Sequence, residues 1–129
     1  MAIEIPGKKL TALAGESLTQ YTFVKATTGS GQITVVTATT AATSATPNFL
    51  GVVQNEPTSG KAGELMLDGV SKVKAGGAIK TGQYVKIGAG GTVEAIVVGT
   101  GEQAVGLAQS TASASGQLVS VLILHGVVG

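Results

Sequence analysis

Short apolar stretches recur along the chain, each set off by glycine or small polar residues: YTFVKA (21–26), QITVVT (32–37), FLGVVQ (49–54), ELMLDGV (64–70), YVKIG (84–88), TVEAIVVG (92–99) and QLVSVLIL (117–124). Runs of this length, rich in β-branched residues and punctuated at short intervals, predict the strands of an all-β fold, either a sandwich or a barrel with short hairpins. Within TFVKA, Thr22, Val24 and Ala26 fall on one face and Phe23 and Lys25 on the other, the two-residue period of a half-buried strand. Glycines at 29, 31, 88, 90, 91, 99 and 101 fall between the runs, where chain reversals need freedom from Cβ. The low-complexity stretch TATTAATSATP (37–47) is too small-sided to build much core and reads as a strand end plus loop, with room for one helical turn.

One phrase is written twice. GVVQNEPTSGKAGELM (51–66) returns in thinned form as GLAQSTASASGQLV (106–119). Each copy runs apolar residues into a glutamine, passes through a small polar loop, and resumes with Gly, Glu or Gln, Leu and an apolar residue. That order describes a strand, a surface excursion and a returning strand, so two related hairpins on one sheet system are expected. Two copies are too few for a solenoid. The matched Gln54 and Gln109 would sit at strand ends and bond loop backbone there.

The 129 residues fit a single domain able to bury roughly two-thirds of its unfolded surface. The hydrophobic fraction is 43%, but no run approaches the ~18 uninterrupted apolar residues of a spanning helix, and no membrane role is expected. The amino terminus lacks the apolar core of a cleaved signal, which suits synthesis in the cytoplasm. There is no cysteine, so disulfides, thiolate metal sites and cysteine nucleophiles are excluded together. Eight cations, all lysine, stand against seven carboxylates, scattered singly. Without arginine, and with Tyr21, Phe23, Phe49 and Tyr84 not interleaved with basic residues, nucleic acid is not an expected partner.

Several local features imitate sites. GSG (29–31), GAGG (88–91) and GTGEQAVG (99–106) resemble phosphate-binding loops, but each is followed by strand-like sequence rather than a helix, so hairpin glycine is the better reading. The sole histidine, His125, follows VLIL and has no nucleophile-elbow serine to serve; it reads as a strand-end residue. Glu56, Glu64, Asp68, Glu94 and Glu102 are isolated and form no recognisable cation loop. No catalytic residue, cofactor-binding residue or metal ligand can be named, and an enzyme is not expected.

Two resemblances bear on function. VSKVKAGGAIKTGQYVKIG (70–88) resembles the turn of lipoyl and biotinyl carrier domains, whose modifiable lysine sits at an exposed hairpin tip; here Lys72 and Lys74 alternate along a strand-like run. The wider match is to the capsid cement, or head decoration, proteins of tailed phages. It is carried by LTALAGESLTQYTFVKA (10–26), NFLGVVQNEPTSGKAGELMLDGVSKVKAGGAIKTGQYV (48–85) and AVGLAQSTASASGQLVSVLIL (104–124), in the family's order. This resemblance implies a non-catalytic virion protein on the outer face of an icosahedral head, tying major capsid protein subunits together, commonly as a homotrimer.

The extreme amino terminus precedes the matching phrases. Residues 1–13 are expected to form an extended arm on a β-rich domain of residues 14–129. In MAIEIPGKKL, Ile3 and Ile5 alternate before Pro6 and Gly7, and Lys8 and Lys9 follow. Ile3, Ile5, Lys8 and Lys9 are therefore candidate capsid contacts, through strand addition and charge, with a first strand of the domain's own barrel as the competing reading.

Overall fold

The computed structural model describes residues 2, 4–27, 32–38, 49–96 and 103–128. Among these residues eleven strands alternate with turns: β1 (Ile5–Pro6), β2 (Lys9–Ala14), β3 (Phe23–Thr27), β4 (Thr34–Thr37), β5 (Gly51–Val53), β6 (Ala62–Met66), β7 (Gly69–Lys74), β8 (Tyr84–Ile87), β9 (Val93–Ala95), β10 (Gln103–Ala108) and β11 (Leu118–Val128). The all-β expectation holds. The only helical turn among the described residues is 3-10, Ala89–Gly91, which links β8 to its antiparallel neighbour β9. GAGG is thus a hairpin turn, with Gly90 and Gly91 at positive φ. GSG, the start of GTGEQAVG and most of the Thr/Ala-rich stretch, from residue 39 onward, lie outside the described residues.

The strands divide into a closed barrel, β2-β4-β3-β5-β6, and a six-stranded sheet, β1-β7-β11-β10-β8-β9. In the barrel only β2 and β4 pair parallel, Leu13 opposite Thr34. The sheet is nearly closed too: Ala75, the residue after β7, forms a parallel bridge with Val93 of β9, and the Gly76 amide donates to the Val93 carbonyl at 2.7 Å. The end of β7 that β1 leaves unpaired is thereby joined to the β9 edge, which limits unwanted pairing.

Each hydrophobic layer follows from strand alternation. Ala12, Ala14, Leu18, Val24, Val35, Val53 and Leu65 fill the barrel. Their neighbours Phe23, Val52 and Met66 point outward and pack against the inner face of the sheet, where Val73, Val85, Val119, Val121 and Ile123 complete the main core. Strand β3 is therefore buried on both faces around Phe23 and Val24, each fully enclosed, instead of half-buried as its two-residue period predicts. The reason is tertiary: the barrel wall that β3 builds is itself covered by the second sheet. Phe23 also meets Phe49 edge to face at 5.2 Å.

Both copies of the repeated phrase form antiparallel hairpins, β5–β6 and β10–β11. They occupy different sheets, however, and not one sheet system. Their registers differ as well: the Gln54 amide donates to the Glu64 carbonyl, whereas the Gln109 amide donates to that of Ser120, not to the matching Gln117. ELMLDGV splits into β6 and the start of β7, because the chain leaves the barrel for the sheet at Leu67 and Asp68. No helix among the described residues is long and apolar enough to cross a membrane.

Candidate functional site

The chain passes between barrel and sheet at two adjacent places, between β1 and β2 and between β6 and β7. Gly7 and Lys8 make the first passage, Leu67 and Asp68 the second, and the two are stitched together. The Lys8 amide donates to Asp68 Oδ1 at 2.5 Å, and the Leu67 amide donates to the Lys8 carbonyl at 2.8 Å. Gly69 adopts φ +91°, and a Cβ there would lie 2.6 Å from both the Ile5 carbonyl oxygen and the Gly7 nitrogen. A side chain fits neither the conformation nor the space.

This junction positions the amino-terminal candidates. Ile5 pairs with Val70 of β7 and leaves 59% of its surface exposed. Lys8 and Lys9 are exposed, and Lys9 opens β2, opposite Met66 of β6. Ile3 lies outside the described residues. The structure thus brings Ile5, Lys8 and Lys9 to one junction, and residues 9–13 of the expected arm are paired as a barrel strand.

The other candidates take structural positions. Gln54, half-buried, donates through Nε2 to the Val52 carbonyl and to Ser71 Oγ, each at 3.0 Å, tying the barrel to β7. Gln109 makes the equivalent bond to the Leu107 carbonyl at 3.4 Å. Both glutamines stand at strand ends, as their place in the phrase predicts, but their side chains bond carbonyls of their own strands instead of the expected loop backbone. His125 lies inside β11, near the register shift opposite Ala104 and Gly106, instead of at the strand's end. Lys72 and Lys74 lie along β7, and Lys72 Nζ sits 5.9 Å from the centre of the Tyr21 ring. Neither is at a hairpin tip, where a carrier lysine would need to be. Among the described residues, no three His, Asp or Glu side chains group closely enough to hold a metal ion.

One carboxylate has a distinct environment. Glu16 Oε2 accepts the Thr37 amide at 3.0 Å, and that backbone bond, with the Thr37 side chain and the charge of Lys25, holds its pKa below the ordinary glutamate value. It fastens the loop after β2 to the end of β4. An open groove lies nearby against the barrel, lined by Thr11, Leu13, Gln32, Ile33 and Ala62.

What these residues assemble is a β-rich body with exposed Ile5, Lys8 and Lys9 where the barrel meets the sheet. The sequence matches the phage cement proteins over residues 10–123, and the chain belongs to that family. It is a structural protein of the bacteriophage virion, associated with the capsid. Its fold is similar to that of the N base of the head fiber gp8.5 of bacteriophage phi29. That match has TM-score 0.68 and 24% sequence identity, and covers 91% of this chain and 93% of that one. No curated protein matches the sequence significantly.

Proposed function

We propose that the protein binds the outer surface of an icosahedral phage head and stabilises it by bridging neighbouring major capsid protein subunits, without catalysis and without a cofactor. Membership of the cement family across residues 10–123 is the observation that carries this reading. Closed homo-oligomers, trimers in the first instance, are the working unit; few large side chains and many small contacts per chain favour association. Synthesis takes place in the host cytoplasm, before addition to the head.

The amino-terminal arm, residues 1–13, is the proposed capsid contact, through Ile3, Ile5, Lys8 and Lys9, with residues 14–129 as the body it serves. Exposure of Ile5, Lys8 and Lys9 at the sheet junction supports the assignment. The test uses heads of the encoding phage prepared without this protein. Added protein is expected to bind at a fixed copy number and to raise the temperature at which heads rupture. Failure to bind overturns the function. A chain lacking residues 2–6 that folds, associates and still binds at full affinity overturns the arm's role alone.

A further inference from the structure

The outer face of the six-stranded sheet carries a row of apolar side chains that is partly open along its length and widely exposed at both ends. Ile5 of β1 stands opposite Val70 of β7, Val70 opposite Leu122 of β11, Leu122 opposite Leu107 of β10, and Leu107 opposite Tyr84 of β8. Residues directly opposite in antiparallel pairs share a face. Their chain neighbours Ser71, Val121, Ala108 and Val85 are buried on the inner side, so all five of the row point outward. Exposure is 59% at Ile5 and 46% at Tyr84, with the three between half-buried. Across five strands about 4.8 Å apart the row runs about 19 Å.

Its border is basic. Lys72 and Lys74 follow Val70 on the same face of β7, with Leu118 opposite Lys74. Lys86 follows Tyr84 on β8 and stands opposite Glu94, the one carboxylate these strands place on that face. Three lysines therefore flank the row against one glutamate. Only Ile5 and Tyr84 of the row are widely open, far too little surface for the ~800 Å2 per partner of an ordinary stable interface. Two copies joined only through this row would not persist in solution. On a head, where many linked contacts act together, a surface of this size suffices.

We propose that this row is the surface that docks on the capsid, and that it seats on an apolar ridge of the major capsid protein bordered by carboxylates. The proposal rests on the function given above. It extends the contact from Ile5 in the arm across the sheet to Tyr84, with Lys72 and Lys74 matching the acidic border.

Single variants Ile5→Asp and Tyr84→Asp place a repelling charge at the two most exposed ends, where folding is least affected. A Leu107→Lys/Leu122→Lys pair tests the middle, and Ile33→Asp, an equally exposed site on the barrel, is the control. Circular dichroism and thermal melting establish that each variant folds. Wild-type protein and Ile33→Asp are expected to bind purified heads alike, and Tyr84→Asp at least tenfold more weakly. Lys72→Glu/Lys74→Glu is expected to weaken binding and to flatten its salt dependence. If wild type binds and Tyr84→Asp and the Leu107/Leu122 pair, folded, bind equally well, the row is not the contact and the cement function stands. If wild type fails to bind, the function itself falls. If the row variants instead turn an oligomer into monomers by light scattering, the row joins copies of this chain and the proposal is overturned.

Discussion

The β5–β6 hairpin and the β10–β11 hairpin start from nearly the same phrase, yet the chain treats their outward faces differently. On the barrel, Phe23, Val52 and Met66 stand opposite one another across β3, β5 and β6, and all three are fully buried beneath the sheet. On the sheet, Leu107 occupies the place in the second copy that Val52 holds in the first, and its row is left partly open. Outward apolar rows are thus a recurring device of this fold. The barrel's row lies inside the core, and the sheet's row is the proposed capsid contact. The matched glycines differ as well. Gly63 is held in extended backbone with Pro57 Cγ 3.3 Å from where a Cβ would lie, whereas Gly116 turns the chain at φ +90° in open space.

Truncating the two rows separates their roles by the largest margin. Phe23→Ala removes a fully enclosed ring and its contact with Phe49, and is expected to cost about 3–5 kcal/mol of folding stability in urea titration. Tyr84→Ala is expected to stay within about 1 kcal/mol, because the side chain is nearly half exposed. Equal losses at both positions would erase the distinction.

The leading glycine of each copy is the next largest. At Gly51 an added Cβ would run into the Met66 carbonyl, and at Gly106 it would meet Val121 and lie 2.8 Å from the Leu122 oxygen. Gly51→Ala and Gly106→Ala are each expected to cost about 1–3 kcal/mol by thermal or urea unfolding, since backbone must shift in both. The glutamines should differ more than their sequence echo implies. Gln54→Ala breaks the half-buried link to Ser71 and costs about 1–2 kcal/mol, while Gln109→Ala, exposed with one long bond, costs under about 0.5 kcal/mol.

The smallest effect is electrostatic. Glu16 has a folded pKa below its unfolded one, so its contribution is fully present above the ordinary glutamate value and is lost as pH falls through the lowered one. Urea midpoints measured from neutral pH down to about pH 3 should therefore fall slightly more for wild type than for Glu16→Gln. An identical acid slope would mean that the Thr37 bond contributes nothing.

Much of this architecture was legible in the sequence because strand runs and glycine turns are local signals. The echo of residues 51–66 in 106–119 correctly indicates two hairpins, and the strand-end positions of Gln54 and Gln109 follow from it. Sheet membership did not follow, because a hairpin's phrase says nothing about which strands flank it. Strand β2 was hidden in KLTALA, where a single threonine is the only β-branched residue, and its parallel pairing with β4 has no local mark. The double burial of Phe23 and Val24 is set by the sheet that packs on the barrel. Ile5 stood out in the sequence as an apolar residue in an arm, but Tyr84, Leu107 and Leu122 did not join it, since register across five strands assembles the row.

The chain has no cysteine, so one introduced at a chosen site reports that site alone. Tyr84→Cys and Ile33→Cys proteins, free and bound to heads, can be exposed to a thiol reagent and the modification at each site read by mass spectrometry. Binding to heads is expected to slow modification at residue 84 by at least tenfold and to leave residue 33 unchanged. Equal rates at residue 84 in free and head-bound protein would contradict the account.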